Sequence, residues 1–179
     1  MWRYRAALPI EVTAPIAMGE GRTPLIQRRL HGADALLKCE WQMPTGSFKD
    51  RGASVMLSVL RQQGIGAVLE DSSGNGGAAV SAYAAAGGMR ATIMAPDSTS
   101  TAKTLAMRAC GATVELIPGD RQATSDAAEA RAAIATRVEQ LHELARQLTA
   151  EHVVRSGADD GHAGARRRAR GAARPAGPG

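Results

Sequence analysis

Apolar positions along the chain fall into short blocks that switch between two periods. Residues 19–30 read as a glycine-rich turn running into an extended segment, and 35–41 as a weakly alternating strand that Pro44-Thr45-Gly46 stops. From Ser47 the period lengthens. Phe48, Val55, Met56, Val59 and Leu60 recur at helical spacing, which predicts a helix capped by Ser47 and closed by Gly64. The pattern then predicts a strand over 67–70, a polar glycine turn over 72–77 and a small-residue helix over 78–86 ended by Gly87-Gly88. A strand over 90–95, a helix over 101–110 stopped by Gly111, and a strand over 112–117 follow. Helix and strand alternating through short links predict an α/β fold with a doubly wound parallel sheet, which binds ligands outside the carboxyl ends of its strands. The turn at 72–77 sits at one such end.

Beyond this core the pattern changes. Residues 120–154 are helical in composition, and Ile134, Val138, Leu141, Ala145 and Leu148 follow the spacing of a packed amphipathic helix. After Val154 no Val, Leu, Ile, Met or aromatic residue occurs, and 161–179 use only Gly, His, Ala, Arg and Pro, so this tail is expected to be disordered. Charge follows the same division. The net +5 splits into 16 Lys+Arg against 15 Asp+Glu over 1–154, and six Arg against two Asp over 155–179. The basic balance therefore belongs to a solvated tail without aromatics for base stacking, and a nucleic-acid partner is not expected. No apolar run approaches the roughly 18 residues of a membrane span. The start of the chain is too broken for a signal peptide, and Cys39 and Cys110 make neither a disulfide framework nor a zinc site. The expectation is a cytoplasmic chain with no membrane partner.

Only three of the 22 basic residues are lysines: Lys38, Lys49 and Lys103. Lys49 falls in Pro44-Thr45-Gly46-Ser47-Phe48-Lys49-Asp50-Arg51-Gly52, where Ser47 and Asp50 have capping-box spacing. That puts Lys49 in the first turn of a helix, whose macrodipole disfavours a cation and so favours the neutral amine that Schiff-base chemistry needs. A solvated lysine beside a cap is the plainer alternative. The turn Asp71-Ser72-Ser73-Gly74-Asn75-Gly76-Gly77 offers hydroxyls and backbone N–H groups to an anion, or is an ordinary capped turn. Other motifs fail. Gly64-Ile65-Gly66 precedes a strand instead of following one, and His142-Glu143 lacks a second histidine at position 146, so no metal site is expected.

Taken in order, these stretches resemble the fold-type II pyridoxal-phosphate enzymes, and among them the threonine synthases most closely. The resemblance is carried by Trp2-Arg3-Tyr4-Arg5, Gly19-Glu20-Gly21-Arg22-Thr23-Pro24-Leu25, Lys38 and Glu40, the stretch around Lys49, Ser72-Ser73-Gly74-Asn75, and Lys103 with Arg108-Ala109-Cys110-Gly111-Ala112. It covers residues 1 to about 130. It implies that Lys49 carries pyridoxal 5'-phosphate covalently and then moves protons as the free amine. It also implies that Asn75 bonds the cofactor's phenolic oxygen, and that Ser72, Ser73, Gly74 and Gly76 hold the carboxylate of an amino-acid substrate. The implied reaction converts O-phosphohomoserine and water to threonine and phosphate. Serine or threonine ammonia-lyase is the alternative within the fold, and a homodimer is open to full-length members.

The departures matter too. Members of the family are longer and carry a second glycine-rich loop for the cofactor phosphate, which is not found here. The expected division is 1–44 as the N-terminal part of a large domain left incomplete, 45–130 as a small α/β domain, 131–154 as a helix without a clear assignment, and 155–179 as the tail. The expectation is a truncated or frame-shifted reading of a threonine synthase gene, marginally folded and weakly active on its own. A non-catalytic α/β interaction module, pairing through the helix at 120–154, is the reading from another class.

Overall fold

The computed structural model describes residues 2–133, and the elements below lie in one unit, Met1–Ala132, with the remainder in a second. The expected helix over 131–154 and tail over 155–179 fall outside the described residues, apart from 131–133.

The chain opens with a 3-10 segment, Trp2–Ala7, kinked at Tyr4. Strands β1 (Leu25–Leu30) and β2 (Ala33–Lys38) then pair as an antiparallel hairpin, with Leu30 opposite Ala33. His31 and Gly32 form its two-residue turn, both at positive φ (48° and 85°), the backbone of a type I′ turn. The expected strand over 35–41 is therefore corrected. It starts earlier and ends at Lys38, and Glu40–Gln42 is a 3-10 turn. Leu25, Leu30 and Leu36 on the hairpin are exposed.

Helix α1 (Lys49–Gln62) leads to a parallel sheet of β3 (Ala67–Glu70), β4 (Arg90–Pro96) and β5 (Thr113–Ile117), in that order. Helices α2 (Asn75–Ala86) and α3 (Thr101–Ala109) connect successive strands, as parallel pairing requires. A fourth helix, α4, begins at 121 and runs to the end of this unit. The α/β expectation with a parallel sheet holds, and β3 has the predicted bounds.

The core gathers where α2 meets α1, α3 and the sheet: Leu57, Ala79, Tyr83, Ile93 and Met107 are buried together with Ile16 from the N-terminal segment. From Ala79 to Ala84 α2 is buried around its whole circumference, as a helix without a polar face must be, while Asn75, Ala85 and Ala86 at its ends are exposed. Its glycines set how closely it approaches its neighbours. A Cβ on Gly77 would lie 2.3 Å from the Ser72 carbonyl oxygen, and one on Gly87 would lie 2.4 Å from Ile16 Cδ1. This contact explains a second correction: the helix begins at Asn75, not at 78. Asn and Gly are weak helix formers, but packing of Gly77 against Ser72, Ile93 and Met107 outweighs their propensity.

Serines fasten the N-terminal segment to α1. Ser58 Oγ accepts the Ile16 N–H at 2.7 Å and donates to the Ser54 carbonyl at 2.6 Å. Ser54 Oγ accepts the Trp2 indole N–H at 3.0 Å and lies within hydrogen-bond distance of the Ile16 carbonyl (2.7 Å) and the Glu20 carboxylate (2.8 Å). These polar groups are buried but partnered, so they add specificity to the packing without a desolvation penalty left open.

Candidate functional site

Lys49 is the first residue of α1. The capping box expected before it is not formed. Phe48 occupies the cap position without a side-chain bond, and Asp50, fully buried, accepts the Thr45 N–H at 2.7 Å and the Thr45 hydroxyl. Gly46, at φ 80°, folds the loop back so that Thr45 and not Ser47 meets the acid. Ser47 Oγ instead takes a long 3.3 Å bond from the Lys49 N–H. The result still aims the first turn of α1 in a fixed direction, because Asp50 is held from the loop side.

A second clamp holds the same turn. Arg51 donates from Nε and Nη2 to the two oxygens of Glu40, at 2.9 and 3.0 Å, and Thr23 Oγ1 donates to Glu40 at 2.7 Å. The Arg51 hydrogen bonds first, then the Thr23 hydroxyl, pull the Glu40 carboxyl down to about 2. Lys38 donates to the Thr23 carbonyl oxygen, so the 19–25 stretch, β2 and α1 meet at one knot. Lys38 is thus occupied structurally, and Lys103 lies within α3.

Lys49 is exposed, its Nζ 5.1 Å from the centre of the Phe48 ring, and it lines a cavity of about 240 Å3. Gly52, Ala53 and Met56 of α1, Glu70 at the end of β3, and Gly76, Ala79 and Val80 of α2 complete the lining. The cavity therefore opens at the carboxyl end of a parallel strand, beside the start of a helix. Of the residues predicted from sequence, Lys49 and Gly76 meet here. Ser72, Ser73 and Gly74, half-buried, form the turn between β3 and α2, and Asn75 is exposed at the first position of α2; these four are not among the lining residues. α2 has no side-chain cap, so its first N–H groups are left to an incoming anion.

Glu70 is the residue that sequence reasoning missed. Periodicity makes it no more than the last position of a short apolar strand, although an acid at the carboxyl end of a strand in such a fold is itself a signal. A Cβ on Gly76 would sit 3.2 Å from Glu70 Oε1, which shows the carboxyl reaching over the start of α2. Burial first, and then the neighbouring Asp71 charge, push the Glu70 carboxyl above its ordinary value, against the pull of Arg121 and Lys49. Asp71 moves the other way because Arg121 at the start of α4 bonds it at 2.7 Å.

Comparison with known proteins agrees with this geometry. The sequence model of the family described as pyridoxal-phosphate dependent enzyme matches residues 16–169, further along the chain than the limit near 130 expected from motifs. Threonine synthase of Halalkalibacterium halodurans is 37% identical over 99 residues, covering 52% of this chain and 28% of that protein. Threonine synthase of Synechocystis sp. is 40% identical over 102 residues, covering 52% and 26%. The match thus covers little more than a quarter of the length of these curated relatives. Among solved structures, a hydrogen sulfide-producing enzyme from Fusobacterium nucleatum superposes with a TM-score of 0.60 at 26% identity, over 70% of this chain and 44% of that one. An O-ureido-L-serine synthase gives 0.61 at 27% identity, over 70% and 43%. No helix among the described residues is long and apolar enough to cross a membrane. With a lysine amine and a helix start facing one cavity at the carboxyl end of a parallel strand, and a family match over most of its length, the chain belongs to the pyridoxal-phosphate dependent enzymes.

Proposed function

We propose that this chain is the lysine-bearing part of a threonine synthase-type lyase, which converts O-phosphohomoserine and water to threonine and phosphate. The observation that carries the reading is the cavity shared by Lys49 and the start of α2. The donor set there fits the aldehyde end of pyridoxal phosphate: one primary amine to hold the carbonyl carbon, and N–H groups without a side-chain cap, with the Ser72 hydroxyl beside Gly76, for anionic oxygen. When bound, that cofactor supplies an electron sink for charge developing on the substrate.

The protein's own residues position and move protons. Lys49 would hold the cofactor through its amine and would move protons as the free amine. The start of α2 and the turn at Ser72, Ser73, Gly74 and Gly76 orient the substrate carboxylate through N–H and hydroxyl donors, with the helix dipole adding to the attraction. Asn75, as the first residue of α2, would offer its amide to the cofactor's phenolic oxygen. The identity to threonine synthases supports the choice of substrate.

Incubation of the chain with pyridoxal phosphate, borohydride reduction and peptide mass mapping tests the site. The expected product is a single modified lysine at 49, absent in Lys49→Ala. Release of phosphate from O-phosphohomoserine tests the reaction. Deamination of threonine to 2-oxobutyrate without phosphate release would move the assignment to an ammonia-lyase.

A further inference from the structure

Of the residues lining the cavity, only Lys49 and Glu70 ionise. Among the described residues the Glu70 carboxyl has no hydrogen bond and no salt bridge, and Lys49 Nζ lies beside the Phe48 ring without a salt bridge. An acid and an amine therefore line one small cavity, neither held there by a hydrogen bond or a salt bridge. Glu70 ends β3 in register with Ile93 of β4, and its carboxyl lies over Gly76, where an added Cβ would meet Oε1 at 3.2 Å. The groups that face it are Lys49 from α1, Asp71 from its own strand end and Arg121 from α4. Arg121 is engaged by Asp71, which leaves Lys49 as the cation within the cavity.

We propose that Glu70 is the proton partner of Lys49, taking a proton from its ammonium and returning it to the oxygen that departs when the amine condenses with an aldehyde. Glu70 carboxylate first accepts one proton from the Lys49 ammonium. The freed lone pair on Nζ attacks the aldehyde carbon, a C–N bond forms, and the C–O π electrons move to oxygen, which takes up the second amine proton. Glu70 then gives its proton back to that hydroxyl, the C–O bond breaks, water leaves, and a protonated imine loses nothing further: the nitrogen keeps its third proton and Glu70 is again a carboxylate. Burial of Glu70 favours the protonated form that the second half of this sequence requires. The inference rests on the reading of Lys49 as the aldehyde-bonding lysine, and it adds a catalytic acid–base residue to that site.

Two measurements on the full chain test it. With glutamate side-chain carboxyls labelled with 13C, the Glu70 resonance is assigned by its loss in Glu70→Gln and titrated in the wild type and in Lys49→Met. Removal of the amine is expected to move the Glu70 midpoint to higher pH, because a favourable positive charge is lost; an unmoved midpoint overturns the pairing. Second, the rate of imine formation with pyridoxal phosphate is followed by absorbance, with borohydride trapping to confirm Lys49. Glu70→Gln is expected to slow formation about 10-fold or more while the final trapped extent stays the same, with part of the rate restored in Glu70→Asp. Equal rates in the wild type and Glu70→Gln overturn the proton role. Should the wild type trap nothing at Lys49, the cofactor reading fails on its own account, and the titration still decides the pairing.

Discussion

Tyr83 donates its phenolic hydrogen to the Glu20 carboxylate at 2.9 Å, joining the middle of α2 to the 19–25 stretch across 63 positions of sequence. Both groups are buried, and Glu20 also accepts the Met18 N–H at 2.8 Å. Burial alone would raise the Glu20 carboxyl, but the bonds from backbone N–H groups, Ser54 and Tyr83 outweigh it and hold the carboxyl below its ordinary value. Burial first, then the hydrogen bond to Glu20 and its charge, push the Tyr83 phenol upward, so it stays a donor. Tyr83→Phe removes one bond to a charged acceptor while preserving the ring. The expected loss is about 1–3 kcal/mol of stability, read from urea unfolding midpoints at neutral pH. A loss below about 0.5 kcal/mol would mean that the remaining donors suffice.

The Glu40 knot makes a prediction about acid. Its carboxyl is lowered from 4.5 to about 2 by Arg51 and then Thr23, so the folded state binds fewer protons than the unfolded chain in that range. The stabilisation is fully present above pH 4.5 and is lost as pH falls toward about 2. Glu20, also lowered, adds to the same slope. Melting temperature measured from pH 6 downward should therefore fall more steeply in the wild type than in Glu40→Gln. Parallel curves would show that the ion pair does not couple to folding.

Arg51 is not replaceable by lysine at this knot. Its planar fork reaches both Glu40 oxygens from Nε and Nη2, whereas an ammonium offers a single point of contact. The pair is partly exposed, so Arg51→Lys should cost only about 0.5–1 kcal/mol. The more telling readout is trapping of pyridoxal phosphate at Lys49, two residues away, which should slow because the first turn of α1 loses one of its two anchors. Unchanged trapping would place the knot outside the function of the site.

Much of the architecture was legible because it depends on local period and on glycine stops. The run 67–70, the helix closed by Gly111 and the strands on either side of it needed nothing from the tertiary structure. What was not legible depends on contacts between distant segments. The start of α2 is set by Gly77 pressing on Ser72, Ile93 and Met107, which overrides the poor helix propensity of Asn75, Gly76 and Gly77. The partner of Asp50 is set by the turn at Gly46, which three-residue capping spacing cannot foresee. The hairpin turns on His31-Gly32 and not on the more telling Asn-Gly. Lys49 stood out in the sequence because lysines are few; Glu70 did not, since two residues 21 positions apart come to line one cavity only once α1 and β3 are in place.

Two glycines offer a matched pair of opposite sign. At Gly77 a methyl group would lie 2.3 Å from the Ser72 carbonyl oxygen and 2.9 Å from Met107 Cε, and the carbonyl cannot withdraw without moving the turn that precedes α2. Gly77→Ala should therefore cost about 1–3 kcal/mol and disturb the α2 end of the cavity together with the fold. Gly52, in the interior of α1, has no atom within 4 Å of the place a methyl group would take, and its φ is not positive. Alanine there restricts the unfolded chain and favours the helix, so Gly52→Ala should raise stability by about 0.4–1 kcal/mol. Because Gly52 lines the cavity, the same methyl group takes space beside Lys49, and trapping of pyridoxal phosphate should weaken even as the melting temperature rises. A variant that gains stability and keeps full trapping would show that the cofactor ring lies away from the α1 wall, on the side of α2.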